Sequence, residues 1–281
     1  MQDRLVAAAR SGIRVFDLGR PLFVGMPQSP NHPPFLHAHP ARHGDATRSD
    51  GGSTANDIIV TGTHVGTHID APAHIAQDAR LLGGVSADAA VEGGKYYGLG
   101  IHGFRPMASR GVMLDIPAAL GIDGCDPGYE VTVDDIEKSL QLSGTQMADC
   151  EVALIRTGWG QFFGDTTLYP GQISGAPGVG EAAARWLVAH GIRAVGSDTI
   201  AFERIAPKVG HASLPVHRIL LVEAGVHIIE TLNLEELAAA GVHEFLLVLA
   251  PLAIVGATGA PVRPLALVDE HLGEFDQTIV S

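Results

Sequence analysis

The apolar positions of the 281-residue chain fall mostly in short runs broken by Gly, Pro and Asp. Short continuous runs suit buried strands, whereas stretches with a 3.6-residue period suit helices. Residues 1–12 predict a short amphipathic helix, and "VFDLGRPL" after it predicts an edge strand or its lead-in. "NDIIVTGTH" reads as a strand, "GVMLDIP" as a short buried strand, and "EVALIRTGW" as a strand ending at Gly158. "TVDDIEKSLQLSG" predicts a helix with Thr132 as N-cap, Asp135 three residues on, and Gly144 at the stop. "GEAAARWLVAHG" predicts a helix closed by Gly191, and "IRAVGSDT" the strand after it, ending at the carboxylate of Asp198. "RILLVEAGVHIIE" offers two apolar runs around Gly225. "NLEELAAAG" predicts a helix with Asn233 as cap, Glu236 at the capping-box position and Gly241 as stop. Strands and helices intermingle with no internal repeat and no break in composition. One α/β domain over residues 1–281 is therefore expected.

The most apolar run is "FLLVLAPLAIVGATGAPV", residues 245–262. A membrane span needs about 20 apolar residues in helix. Pro251, Gly256, Gly259 and Pro261 interrupt this run, so two buried strands with a turn fit better. Residues 25–55 are rich in Pro, His, Gly and Ser and read as a long ordered loop or lid. Its histidines, His32, His37, His39 and His43, read as mostly solvated. Hydrophobic residues are 46% of the chain and charged residues 17%, which places it among globular proteins. The formal net charge of −13 would repel a nucleic-acid backbone. The N-terminus has no long apolar segment of the signal-peptide type. Cys125 and Cys150 stand in no metal or redox spacing, so two free thiols in a reducing cytoplasm are expected.

The densest chemistry is "HVGTHIDAPAH", His64 to His74. In a strand, His64, His68, Asp70 and His74 share a face, but four residues span about 13 Å, too far for two imidazoles to meet one metal. In a helix, Asp70 would point about 200° away from His68. A strand that enters a tight turn near Gly66 gathers His64, His68 and Asp70 around one point. Gly66 supplies backbone freedom, and Pro72 stops the strand. Two imidazoles and a carboxylate suit Zn²⁺ or Mn²⁺. His74, a little further on, can stand beside the metal as a proton shuttle.

This stretch resembles the H-x-G-T-H-x-D-x-P-x-H signature of the metal-dependent cyclase family, which includes bacterial kynurenine formamidase and isatin hydrolase. "DLGRPL", "LIRTGW", "GSDT", "HRILL", "IETLNL" and the closing "GAPVR" are similar to family segments in kind and order, so the resemblance covers residues 15–265. It implies a single α/β domain of the swivelling β/β/α type around a small barrel-like mixed sheet, and a homodimer or higher homo-oligomer. It implies metal ligation by His64, His68 and Asp70, with His74 as the catalytic acid/base. In the two-zinc formamidases a later His and Glu hold a second ion and the Asp bridges. His217 and Glu230 occupy comparable places here. In isatin hydrolases one Mn²⁺ suffices, and the long Pro/His segment and the chain length lean that way.

Read alone, Glu230 is as easily a surface carboxylate, and His217 as easily a core histidine. Asp198 could orient a ligand by accepting its hydrogen bond, or cap the next turn. Trp159 could line an aromatic substrate pocket or be structural. Two classes of function remain. One is a metal-dependent hydrolase cleaving the C–N bond of a small aryl formamide or lactam. The other is a metal-dependent lyase or cyclising enzyme, or a metal protein without catalysis.

Overall fold

The computed structural model describes residues 4–270. α1 (Arg4–Ser11) leads into β1 (Ile13–Asp17); the first residues of the expected N-terminal helix lie outside the described residues. β2 (Leu36–Ala41) and β3 (Asn56–Val60) pair with each other as an antiparallel ribbon outside the main sheet. The main sheet holds β1 with β4 (His68–Asp70), β5 (Met107–Asp115), β6 (Val152–Arg156), β7 (Ala194–Ser197), β8 (His227–Glu230), β9 (Glu244–Leu249), β10 (Gly259–Pro261) and β11 (Leu265–Asp269). Its nine strands run in the order β1-β11-β9-β5-β6-β7-β8-β4-β10. β5, β6, β7 and β8 are mutually parallel, and the remaining pairs are antiparallel.

The parallel strands carry short apolar runs, such as Val112–Leu114 and Val152–Ile155, because both of their faces are buried there. Leu114, Ile155, Val195 and Ile228 point to one core, and their neighbours Met113, Leu154, Ala194 and Ile229 to the other. The first core is covered by α2 (Ile116–Leu120), α3 (Val133–Ser143), α4 (Glu181–Ala189) and a helical segment that starts at Pro215–His217 and continues as a π-helix through Arg218–Ala224. The second holds Phe16 and Leu18 from the N-terminal strand region and Leu247 and Leu249 from β9.

The sheet has to curl. β10 is its last strand and β11 its second, yet only residues 262–264 join them. In a flat sheet these strands would lie on the order of 34 Å apart. A three-residue link reaches at most about 14 Å. The result is an open half-barrel with its longer helices on one side and the short helix Glu235–Ala239 on the other, the mixed α/β architecture expected from the sequence.

Local signals at α3 hold. Thr132 Oγ1 accepts from the Asp135 amide, the Asp135 carboxylate accepts in turn from the Thr132 amide, and Gly144 takes the left-handed conformation that ends the helix. Two signals fail. Asn233 does not cap the short helix Glu235–Ala239; Leu234 stands at the cap, with no side-chain bond. The Asn233 amide instead donates to the Leu18 carbonyl, so tertiary packing takes the backbone that the cap would need. "NDIIV" does not run on into the His64 motif as a strand. Among the described residues it pairs only with Leu36–Ala41, which turns part of the expected 25–55 loop into a ribbon arm.

Replacing the Thr132 cap tests this helix. Thr132→Ala is expected to lower stability by about 1 kcal/mol, read as a lower urea midpoint at unchanged slope. An unchanged midpoint would show that the cap contributes nothing to the folded state.

Candidate metal centre

The His64–His74 segment turns first and extends afterwards, the reverse of the order expected. Gly66, at φ +67°, makes the turn, and a Cβ there would meet Leu22 Cδ2 at 2.3 Å. The chain then enters β4, where His68 and Asp70 lie two residues apart and share a face. β4 is inserted between β8 and β10. Its antiparallel register sets Glu230 directly opposite His68. On the other side Gly259 lies opposite Asp70, and a Cβ at Gly259 would fall 2.5 Å from His64 Cε1. Glycine is what lets His64 fold back over that strand.

Four imidazoles converge on the Asp70 carboxylate. The nearest ring nitrogens are His64 Nδ1 at 2.6 Å, His68 Nε2 at 3.5 Å, His217 Nε2 at 3.7 Å and His74 Nε2 at 3.9 Å. Glu230 adds a second carboxylate, 3.4 Å from His68 Nε2 and 3.2 Å from His217 Nε2. Asp70 is fully buried and Glu230 nearly so. Asp70 Oδ2 and Glu230 Oε1 are buried without a hydrogen-bond partner among the described residues. Unpaired buried carboxylate oxygens are costly. A divalent cation among them would satisfy both, and imidazole with carboxylate is a donor set for Zn²⁺ or Mn²⁺. The residues present therefore fit such an ion.

The electrostatics carry the same message. Burial opposes ionisation of Asp70, but the charges of His74 and His64 outweigh it and hold the carboxyl well below its usual range. Burial also opposes charging of His68, yet Glu230 and Asp70 raise it to about 8. His217 is raised in the same way by Glu203 and Glu230 against its burial. Burial pushes His74 down to about 3. One cation partner for the two acids would relieve the need for protonated imidazoles.

The donors are held from outside. His68 Nδ1 donates to the Gly66 carbonyl at 2.8 Å, which leaves Nε2 facing the acids. His64 Nε2 and Thr258 Oγ1 share a hydrogen bond of 2.8 Å. Glu203 accepts from His217 Nδ1 at 2.7 Å and from the amides of Val216 and His217. Such partners set the ring orientation of metal-binding histidines. Above the cluster lies a cavity of about 240 Å³, lined by His32, His74, Ile75, Ile200, His211 and Leu214 among others. His64 and His74 stack at 3.8 Å between ring centroids, and His32 stacks on His64 at 5.2 Å.

A family comparison decides what this arrangement belongs to. The Cyclase family model matches residues 16–204, well over half of the chain. The chain belongs to the Cyclase family. It is 27% identical over 216 residues to a kynurenine formamidase of Geobacillus thermodenitrificans, covering 77% of this chain and 81% of that one. It is also 27% identical over 223 residues to an isatin hydrolase of Roseibium aggregatum, covering 78% and 77%. Among solved structures, one described as a novel cyclase superposes with a TM-score of 0.81 at 30% identity, covering 95% of this chain and 93% of that one. An isatin hydrolase A from Ralstonia solanacearum superposes at 0.72 with 25% identity, covering 94% and 96%.

Within this family member the structure brings together His64, His68, Asp70, His74, His217 and Glu230, from three separate parts of the chain. It does not bring Asp198 or Trp159 to them. Asp198 accepts from the Thr157 amide and hydroxyl and from the Gly160 amide, so it shapes the 157–160 turn and orients no histidine of the cluster. Burial raises its carboxyl against those donors. Trp159 is buried, donates through Nε1 to the Tyr169 carbonyl, and packs on Phe162 away from the cavity wall. Sequence reading missed Glu203 and Thr258, because nothing local marks either as a histidine partner. His32, expected to be solvated, is half-buried at the cavity wall.

The role of buried Glu203 is open to direct test. Glu203→Ala leaves two buried amides and the His217 ring without their acceptor, and a loss of about 3 kcal/mol is expected. Chemical denaturation measures it, and wild-type stability in the variant would remove Glu203 from the support of His217.

Proposed function

We propose that the chain is a Mn²⁺- or Zn²⁺-dependent hydrolase that cleaves the C–N bond of a small aryl formamide or cyclic amide. One observation carries this reading: four imidazoles face a single buried carboxylate, and two buried acid oxygens in the same cluster accept no hydrogen bond among the described residues. The two relatives are named for an arylformamide and a cyclic amide, and both names support the substrate class. The residue 25–55 segment supports the cyclic amide, because Gln28, Ser29, Asn31 and His32 line the cavity in the manner of a lid.

His64, His68 and Asp70 would hold the ion. His217 and Glu230 would complete the site or hold a second ion. Bound there, a divalent cation would lower the pKa of water toward about 7 and polarise the substrate carbonyl. His74, stacked on His64 and at the cavity wall, takes the proton of the attacking water and returns it to the leaving nitrogen. Ile75, Ile200 and Leu214 offer apolar surface for an aryl ring, while Gln28, Asn31 and His211 offer polar atoms for its carbonyl groups. The substrate's nitrogen leaves as an amine and its carbonyl as a carboxylate.

A second reading draws on His74 itself. Its ring nitrogen belongs with His64 and Asp70 to a group of donors all within 4.8 Å of one another. There His74 is a ligand, and the protein is a lyase or a metal protein without catalysis. Metal content and turnover measured on the same samples separate the two. Asp70→Ala is expected to lose most bound metal and activity while staying folded; full metal in that variant would reject the centre. His74→Ala is expected to keep its metal and lose about 10²-fold or more in kcat. Lost metal would make His74 a ligand, and near-normal kcat would end its role as acid/base. The substrate screen spans N-formyl aryl amines, isatins, lactams and cyclic imides, and no turnover of any of them by metal-loaded protein would overturn the hydrolase.

The reading extends to a homodimer in the cytoplasm. Leu36, Ile58 and Val60 are each about half exposed on one face of the ribbon, which supports burial against a second copy. Cys125 and Cys150 are free and buried, and no helix among the described residues is long and apolar enough to cross a membrane. Light scattering at working concentration is expected to give twice the chain mass, and a monomer would count against the dimer.

A further inference from the structure

The ribbon of β2 and β3 carries chemistry that the buried centre does not use. In its register Leu36 faces Val60, His37 faces Ile59 and Ala38 faces Ile58. Side chains alternate between faces along a strand. One face therefore presents Leu36, Ala38, Ile58 and Val60, and the other presents His37, Asp57 and Ile59. The register shifts between Ala38 and Ala41, and an irregularity of that kind re-aims the side chains within it. His39 lies there, and its ring meets that of His37 edge-on at 4.8 Å between centroids. Asp57 Oδ2 stands 3.1 Å from His37 Nε2 across the strand pair. One donor atom from each of His37, His39 and Asp57 lies within 4.8 Å of the others.

We propose that His37, His39 and Asp57 form a second cation site, separate from the buried centre, for a borderline transition-metal ion of the Zn²⁺ type. Two imidazoles and a carboxylate are the right donors, and three protein ligands leave a position for water. All three residues are exposed, so the ion exchanges freely with solvent. The chain's net charge of −13 favours cation uptake. Binding replaces the hydrogen bond between His37 and Asp57 with a bond from each residue to the ion.

The ion would clip β2 to β3. A two-stranded ribbon is marginal by itself in water, and this one pairs with nothing else among the described residues. The ribbon also joins two parts of the buried site. β2 follows the cavity-lining residues 28–32, and β3 ends at Val60, four residues before His64. Pinning the ribbon shortens the free chain on both sides of the cavity.

The experiment uses the full chain with its buried centre already loaded. Zn²⁺ is added, weakly held ion is removed by desalting into dilute Zn²⁺ of fixed concentration, and bound metal is counted. Wild type is expected to hold one equivalent more than the His37→Ala/His39→Ala double variant, and Asp57→Asn is expected to lose the same equivalent. That equivalent is expected to survive Asp70→Ala, which empties only the buried centre. Hydrogen exchange in residues 36–41 and 56–60 is expected to slow on Zn²⁺ addition in wild type and in Asp70→Ala, and not in the double variant. Equal metal counts in wild type and the double variant would overturn the site. An extra equivalent that disappears in Asp70→Ala and persists in the double variant would also overturn it, by assigning that ion to the buried centre. Failure of the hydrolase reading leaves these counts unchanged, because none of them reads turnover.

Discussion

A single buried carboxylate sets the terms for the surrounding structure. Asp70 is fully buried, and an ionised acid in that position is tolerable only with positive or strongly donating partners around it. Four imidazoles supply them, three from the His64–His74 motif and one, His217, from a distant segment. Much nearby architecture exists to hold those rings. β4 is placed between β8 and β10 so that Glu230 faces His68, Gly259 yields room for His64, and Glu203 holds His217 by its ring and its amide.

The curl of the sheet makes that convergence possible. The short link between β10 and β11 bends nine strands into a half-barrel and leaves β4 near one margin. The parallel strands β7 and β8 end at the same level. Their C-terminal continuations, Ile200–Ala201 and Glu230–Thr231, line the cavity. Open α/β sheets place ligands at that end of their strands. The half-barrel keeps this rule although its margins are antiparallel.

The backbone at those strand ends is strained. Phe202 and Thr231 take positive φ, at 54° and 59°, which is costly for residues with a Cβ. Both are fully or almost fully buried, and Thr231 is locked on both sides. Its amide donates to the Thr199 carbonyl, and its carbonyl accepts from Thr67 Oγ1 at 2.7 Å. Thr67 lies inside the His64–His74 motif and in turn accepts from the Arg20 amide. Strain at Thr231 thus ties Glu230 to the motif strand and to the N-terminal segment at once, and it accounts for a threonine within the motif that ligates nothing.

The sequence by itself determined the class of fold, the helix carried by Thr132 and Gly144, the two-faced burial of the parallel strands, and the local gathering of His64, His68 and Asp70. Each depends on short-range physics: a side-chain period, a cap, a glycine with positive φ. Tertiary structure alone decided the rest. Glu230 meets His68 because an antiparallel register pairs strands far apart in the chain. His217 faces Asp70 because Glu203, fourteen residues earlier, fixes its ring. Asp198 and Trp159 stand in sequence where site residues often stand, yet their hydrogen bonds are taken by the 157–160 turn and by Tyr169. His37 and His39 read as loop residues until a partner strand gave them a shared face. Contacts of this kind are set by which strands become neighbours, and neighbourhood between distant segments is a property of the folded chain that no local pattern encodes.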